Sequence, residues 1–180
     1  MSKTIQIRPA QLADIKNIQT LLRQTWFETY APAIGKDKVR ELSTLWHSDE
    51  RLKFDIARDN MTFLVAERNN ELVATASLTI KETRQQDTKP KTGAKPPIEA
   101  VVGRMYVHPS AQNEGLGAGL LSHLLAPLVP GTRLSLTVEP HNKGAIEFYS
   151  RFGFSIEGPG SCSDDPHDDV PTLIMTAIKT

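Results

Sequence analysis

The sequence predicts a mixed α/β fold, a sheet of six or seven strands with helices on both faces. Three observations point there. Val101 to Val107 is an apolar, β-branched run stopped by Pro109, and from Leu116 onward leucines recur at helical spacing, so a strand hands over to a helix. The chain opens with a short strand followed by a helical pattern. Between Met61 and Ile80, two strand-like runs flank Asn69-Asn70, a pair suited to a two-residue hairpin turn because asparagine tolerates positive φ.

In chain order, Ile5-Gln6-Ile7-Arg8 alternates apolar and polar side chains before Pro9 and reads as the first strand. Ile15, Ile18, Leu22 and Trp26 then form one apolar helix face, with Asp14 at the end favoured by the helix dipole; the helix is expected to end ahead of Pro32. Val39, Leu42 and Leu45, then Leu52 and Ile56, suggest one broken or two short helices, Ser48 being placed to cap the second. After the hairpin, residues 81–98 break the pattern. They hold three prolines and five basic against two acidic residues, which reads as a solvated loop or as a basic lip over a bound partner. Beyond the central helix, which Pro127 and Pro130-Gly131 end early, Arg133 to Glu139 is a strand with Leu134, Leu136 and Val138 on one face. Asn142 to Phe152 is a helix whose buried stripe is Ala145, Phe148, Tyr149 and Phe152, and Phe154 to Ile156 and Thr172 to Ala177 are the last strands.

Composition narrows the function. The chain has 180 residues, enough for a single domain over 1–180 with a substantial core, and its mean hydropathy of −0.32 describes an ordinary soluble globule. Twenty-one basic against 21 acidic residues leave no net charge, which supports neither a nucleic-acid partner nor a polybasic membrane surface. Cys162 is the only cysteine, excluding an intrachain disulfide, and no apolar signal segment follows Met1, so a cytoplasmic location is expected.

The chemistry concentrates in Gln112-Asn113-Glu114-Gly115-Leu116-Gly117, at the strand-to-helix turn, with Gly119 following. The first turn of a helix has unpartnered N–H groups and the positive end of the dipole, and glycines let a phosphate approach that backbone without a Cβ in the way. A Walker loop would need Gly-Lys-Ser/Thr, whereas Gly119 precedes Leu120-Leu121. A dinucleotide fingerprint would need Gly-x-Gly-x-x-Gly, and position 120 is leucine, although Glu139 lies at the distance of about 20 residues expected for a ribose carboxylate.

With Val107-His108-Pro109 before it, this stretch resembles motif A of the GCN5-related N-acetyltransferases, the GNAT family. A second match, Asn142-x-x-Ala145-x-x-Phe148-Tyr149-x-x-Phe152-Gly153-Phe154, follows in the order and at the separation that family uses. The resemblance is strong from Val101 to Phe154 and looser elsewhere. It implies the GNAT fold and acetyl-CoA as co-substrate, with no metal. It places the pyrophosphate at Gln112, Asn113, Glu114, Gly115, Leu116, Gly117 and Ala118, and the pantetheine arm along the amides around Met105 and Val107 and near Asn142. The strand from Arg133 would splay from that of Val101 to Val107 and admit the thioester. Trp26, Glu28 and Tyr30 would stand at the acceptor site, with Glu139 also on the substrate side. Family members often dimerise, so a homodimer is among the implied assemblies.

Transfer to an amine needs a route for the amine proton, donors for an oxyanion and a proton for the departing thiolate. The resemblance assigns the last to Tyr149, whose phenol pKa near 10 suits an acid facing a thiolate, with a core aromatic as the other reading. Glu28, Glu67, Glu99, His108 and Glu139 stay open as the base. Asp164, Asp165, Asp168 and Asp169 around His167 form an acidic loop within 161–170, read as a solvated surface or as an attractant for a cationic amine rather than a metal site. The expectation is direct transfer of acetyl to a primary amine, with a small-molecule acceptor ahead of a protein N-terminus or lysine. A non-catalytic acyl-CoA-binding module is the alternative from another class, and a Rossmann-type nucleotide binder a third.

Overall fold

Local sequence chemistry builds most elements within a residue or two of where the pattern puts them. A computed structural model of the protein describes residues 5–81, 98–160 and 171–180; the acidic segment 161–170 with Cys162, and the basic segment apart from Lys81 and Ile98, lie outside the described residues. The strands are β1 (Ile5–Pro9), β2 (Met61–Arg68), β3 (Glu71–Lys81), β4 (Glu99–Val107), β5 (Arg133–Val138), β6 (Ser155–Gly160) and β7 (Thr172–Ile178). They form one mixed sheet in the order β1-β2-β3-β4-β5-β7-β6. The helices are α1 (Ile15–Ile34), α2 (Lys36–Trp46), α3 (Asp49–Ala57), α4 (Leu116–Leu125) and α5 (Lys143–Arg151). No described helix is long and apolar enough to cross a membrane.

The chain divides into two units, the first comprising Met1–Leu78 and Arg104–Pro127. Here β1 pairs antiparallel with β2, Ile7 lying opposite Ala66. Phe63 and Val65 of β2 turn to one face, where they pack with Ile15, Ile18 and Leu22 of α1 and Leu52 of α3. Leu64 and Ala66 alternate to the other face, which α4 covers, and Gly119 of α4 stands so close to β1 that a Cβ there would meet Ile7 Cδ1 at 3.3 Å. Helices therefore lie on both faces of this part of the sheet. Leu22 and Leu52 are fully buried, so truncating either to alanine is expected to cost about 2–5 kcal/mol.

The second unit comprises Thr79–Gly103 and Leu128–Thr180. β5 pairs antiparallel with β7 from Arg133↔Ile178 to Val138↔Leu173, and β7 pairs with β6 across a bulge between Ile156 and Gly158. Leu134, Leu136, Val138, Phe154 and Met175 are buried, as is Tyr149. β5 runs parallel to the start of β4, but the paired residues stop at Val101↔Ser135.

Several expectations need correction. α1 does not end before Pro32 but runs through it to Ile34; the proline removes a single backbone donor from the last turn, and the helix stops at Gly35, whose φ is 85° and whose N–H bonds Ala31 O at 3.1 Å. Leu45 shares the spacing of Val39 and Leu42 yet is 47% exposed, because α2 ends one residue later at Trp46 and only its Val39–Leu42 face is buried against the rest. The pattern from Lys36 resolves into two helices, with Ser48 Oγ accepting from Arg51 N at 3.3 Å as the cap of α3. Asn69 and Asn70 both have positive φ, 53° and 66°, as a two-residue hairpin turn requires.

Candidate active site

After β4, His108 opens a single turn of 3-10 helix (Pro109–Ala111). Its ring Nδ1 accepts from Ser110 N at 3.2 Å, and its own N–H bonds Val73 O at 2.8 Å. Pro109 fixes the turn and Ala111 is fully buried beneath it. Gln112 Nε2 then donates back to Val107 O at 3.1 Å, and Glu114 is held by Arg68 of β2, with Arg68 Nη1 at 3.0 Å from Glu114 Oε2 and 3.3 Å from Ser110 O. Asn113 and Gly115 both lie in the left-handed region, at φ 62° and 80°. Two left-handed residues in three turn the chain abruptly into α4.

The start of α4 carries no side-chain cap. Its first backbone bond is Gly119 N to Gly115 O, 2.9 Å, so the amides of Leu116, Gly117 and Ala118 precede the intrahelical ladder. Nothing lies within 4 Å of where a Gly115 Cβ would stand, so the space over this turn is open. An anion seated there would meet several N–H groups and the positive end of the dipole.

In the same unit, Trp26 of α1 is the centre of an aromatic group. Its ring lies 4.9 Å from Tyr30, 5.0 Å from Trp46, 5.2 Å from His47 and 6.1 Å from Tyr106 of β4. Trp26 is buried while Tyr30, Trp46 and Tyr106 are half-buried, and Glu28 is exposed on the helix between them. Burial pushes the Tyr106 phenol up. Burial and the nearby charges of Arg104 and Arg23 lower the His47 imidazole to about 3, so it is neutral, and its Nδ1 lies 3.0 Å from Ser43 Oγ. Arg8 ties the first strand to this unit through Asp14 (2.7 and 2.9 Å) and Glu67 (2.5 Å), and the guanidinium holds the Asp14 carboxyl below its usual range.

In the second unit, Glu139 follows β5 directly. Its carboxylate accepts from His141 N at 2.9 Å and lies 2.7 Å from His141 Nδ1. Asn142 N bonds Glu139 O at 3.0 Å, closing a tight turn into α5. Asn142 Oδ1 accepts from Ala145 N at 3.1 Å, so the side chain caps α5 and its Nδ2–H groups are the part that can address a ligand. Tyr149 is 7% exposed, between the rings of Phe148 (5.1 Å) and Phe154 (5.7 Å).

Of the residues singled out from sequence, 112–118 come together in one turn, Met105 and Val107 lie on β4 before it, and Trp26 and Tyr30 stand in contact, whereas Glu28 points away to solvent. Among the open candidates for the base, Glu67 is committed to Arg8, Glu99 accepts from Ser135 Oγ at 3.3 Å, and His108 is engaged by Ser110. Trp46, Tyr106 and His141 were not read from sequence; the aromatic residues closing α2 beside the Ser48 cap were the available signal for the first. Among the described residues no three His, Cys, Asp or Glu side chains gather as a metal site would need.

Comparison with solved structures places this fold in known company. The PaiA N-acetyltransferase from Thermoplasma acidophilum, solved in complex with coenzyme A, is similar with a TM-score of 0.75 at 21% identity, covering 97% of this chain and 99% of that one. The ribosomal-protein-S18-alanine N-acetyltransferase from Escherichia coli gives 0.65 at 18% identity, over 98% and 95%. Arabidopsis thaliana Naa50, in complex with the bisubstrate analogue CoA-Ac-MVNAL, gives 0.62 at 15%, over 96% and 97%. A search of curated proteins returns no match. The model of the acetyltransferase (GNAT) family matches residues 18–154, which includes the turn into α4 and all of the Asn142 to Phe154 motif, and the chain belongs to that family.

Proposed function

We propose that the protein is an acetyl-CoA-dependent N-acetyltransferase that moves the acetyl group directly to the primary amine of a small molecule. The observation that carries the reading is the uncapped start of α4 behind the left-handed Asn113 and Gly115, where the amides of 116–118 precede the first intrahelical bond and no atom lies within 4 Å of a Gly115 Cβ. In this reading residues 112–118 hold the acetyl-CoA pyrophosphate, the amides of Met105 and Val107 hold the pantetheine arm, and Asn142 Nδ2 donates to the same arm. The neutral amine attacks the thioester carbonyl carbon and the carbon–sulfur bond breaks. The nitrogen loses its proton to a base reached through solvent, and Tyr149 gives its phenolic proton to the departing thiolate.

The acceptor stands against the aromatic group of Trp26, Tyr30, Trp46 and Tyr106, where a cationic or apolar amine finds π-faces. Acceptance of a protein N-terminus is the second reading, favoured by the likeness to an enzyme named for ribosomal protein S18 alanine and to one bound to a peptide-bearing bisubstrate analogue. The test is mass spectrometry after incubation with acetyl-CoA and pooled polyamines, amino acids, aminoglycosides and short peptides. A product 42 Da heavier, the mass of one added acetyl group less the hydrogen it replaces (about 42 by elementary composition), identifies the acceptor class. Binding of acetyl-CoA with no product from any pool would favour a non-catalytic acyl-CoA module.

A further inference from the structure

Arg104 sits inside β4 with φ at 45°, a region that a residue with a side chain enters only when its surroundings hold it there. The holding groups are all present. Asp55 of α3, 1% exposed, takes both Nε (3.1 Å) and Nη2 of the guanidinium, and Nη1 donates to Trp46 O at 3.3 Å. On the other side of the residue, the hydroxyl of Thr75, fully buried on β3, donates to Arg104 O at 2.8 Å. Asp55 in turn has Arg51 Nε at 3.4 Å and Arg58 Nη2 at 3.5 Å, so the carboxylate stays charged-paired even without Arg104.

The peptide plane makes this matter to the strand. In a trans peptide the carbonyl oxygen of one residue and the N–H of the next point in opposite directions. With Arg104 O drawn to Thr75, the Met105 N–H faces away from Thr75, while the guanidinium's bonds to Asp55 and Trp46 O anchor the left-handed residue that precedes it. We infer that Asp55 and Thr75 are positioning residues: through Arg104 they hold a left-handed residue in β4 and aim the Met105 amide at the acyl-pantetheine arm. The inference rests on the proposed use of acetyl-CoA and adds to it the residues that set the strand's geometry.

The experiment exploits glycine, which adopts the left-handed region without help. Calorimetry would compare acetyl-CoA with 3′-phospho-ADP, the nucleotide portion that lacks the arm, across Asp55→Asn, Thr75→Val, Arg104→Ala, Arg104→Gly and Asp55→Asn/Arg104→Gly. Asp55→Asn and Arg104→Ala are expected to weaken acetyl-CoA about tenfold and leave 3′-phospho-ADP unchanged, with Thr75→Val weaker in the same sense. Arg104→Gly and the double variant should stay within about twofold of wild type for both ligands. A purely structural ion pair would instead weaken both ligands alike, or make Arg104→Gly as poor as Arg104→Ala, and either result overturns the inference. If Asp55→Asn does not fold, the alanine and glycine variants at 104 still decide it. A wild type that binds neither ligand removes the acetyl-CoA reading and the inference with it. A wild type that binds acetyl-CoA but transfers nothing removes only the catalytic reading, and the clamp is still judged by binding.

Discussion

Two helices of this protein begin just after a strand and a turn, and they begin differently. α5 starts with Asn142 folding its own carboxamide oxygen over Ala145 N, so an amide that would otherwise seek a ligand is already satisfied. α4 starts with Gly115, which has no side chain to offer, and leaves the amides of 116–118 ahead of the first intrahelical bond. Both stretches carry motifs that resemble those of the family, yet only α4 leaves its first amides without a capping side chain. The difference teaches that at a helix start a capping residue and a bound phosphate are competitors for the same donors. α5 is thus less suited to holding an anion at its start, and in the proposed function its contribution is the side chain of Tyr149.

The largest effect expected from this division falls on α5. Tyr149→Phe keeps the ring packed between Phe148 and Phe154 and removes the phenolic hydroxyl, so turnover should fall about a hundredfold or more while acetyl-CoA affinity stays nearly the same. Steady-state kinetics paired with calorimetry read both. Equal turnover in the variant would remove Tyr149 from the chemistry and leave α5 as packing.

The next effect bounds the pH range over which the two helices can be compared. His47 has an ordinary value of 6.5 and a folded value of about 3, so the unfolded chain takes up a proton below pH 6.5 that the folded one refuses. The stability this group contributes is whole above pH 6.5 and is lost as pH falls toward 3, at up to about 1.4 kcal/mol per pH unit. Urea unfolding at pH 7 and pH 5 should show that loss in the wild type and a flatter dependence in His47→Gln. An unchanged slope in the variant would place the acid sensitivity elsewhere.

Gly115→Ala tests α4 itself. No atom crowds the position, so the cost is that of a left-handed alanine, about 1–2 kcal/mol of stability, together with a loss of acetyl-CoA affinity of about tenfold from a Cβ in the anion's path. Gly115→Asn sharpens the point, since asparagine tolerates that φ: stability should largely return and affinity should not. Recovery of both would mean that the glycine serves the turn alone.

These residues also mark what the sequence made legible. Gly115, the Asn69-Asn70 turn, the Ser48 cap and the strand-like runs of β2 and β3 were readable because each depends on chemistry within a few positions along the chain. Arg104 was not readable. Its left-handed backbone is imposed by Asp55 and Thr75, 49 and 29 positions away, and arginine as a residue type gives no sign of it. Trp46 and Tyr106 were missed for the same reason, since their approach to Trp26 is a fact of packing and not of spacing. The turn into α4 was thus legible as a local motif, while the aromatic group around Trp26 and the contacts of Arg104 depend on distant segments.

Asn142 gives a smaller effect that splits its two duties. Asn142→Ala removes the cap and should cost about 1 kcal/mol of stability. Asn142→Asp keeps an oxygen for Ala145 N but lacks the Nδ2 donors, so stability should hold while acetyl-CoA binds several-fold more weakly. If the aspartate variant binds as tightly as wild type, the residue is a cap and nothing more, and the contrast between the two helices becomes complete.

The smallest effect separates Gly115 from a glycine further along α4. Gly119 lies one helical turn beyond Gly115, its N–H is already bonded to Gly115 O, and its missing Cβ faces Ile7 Cδ1 at 3.3 Å. Alanine there gains about 1 kcal/mol of helix propensity and gives back part of it, because the end of the Ile7 side chain must swing aside by a few tenths of an ångström. Gly119→Ala should therefore raise stability by about 0.5 kcal/mol or leave it level, and acetyl-CoA affinity should not move. A fall in affinity would extend the anion site one turn deeper into α4, while a marked loss of stability would mean that Ile7 is locked in place and that glycine is required for α4 to lie this close to β1.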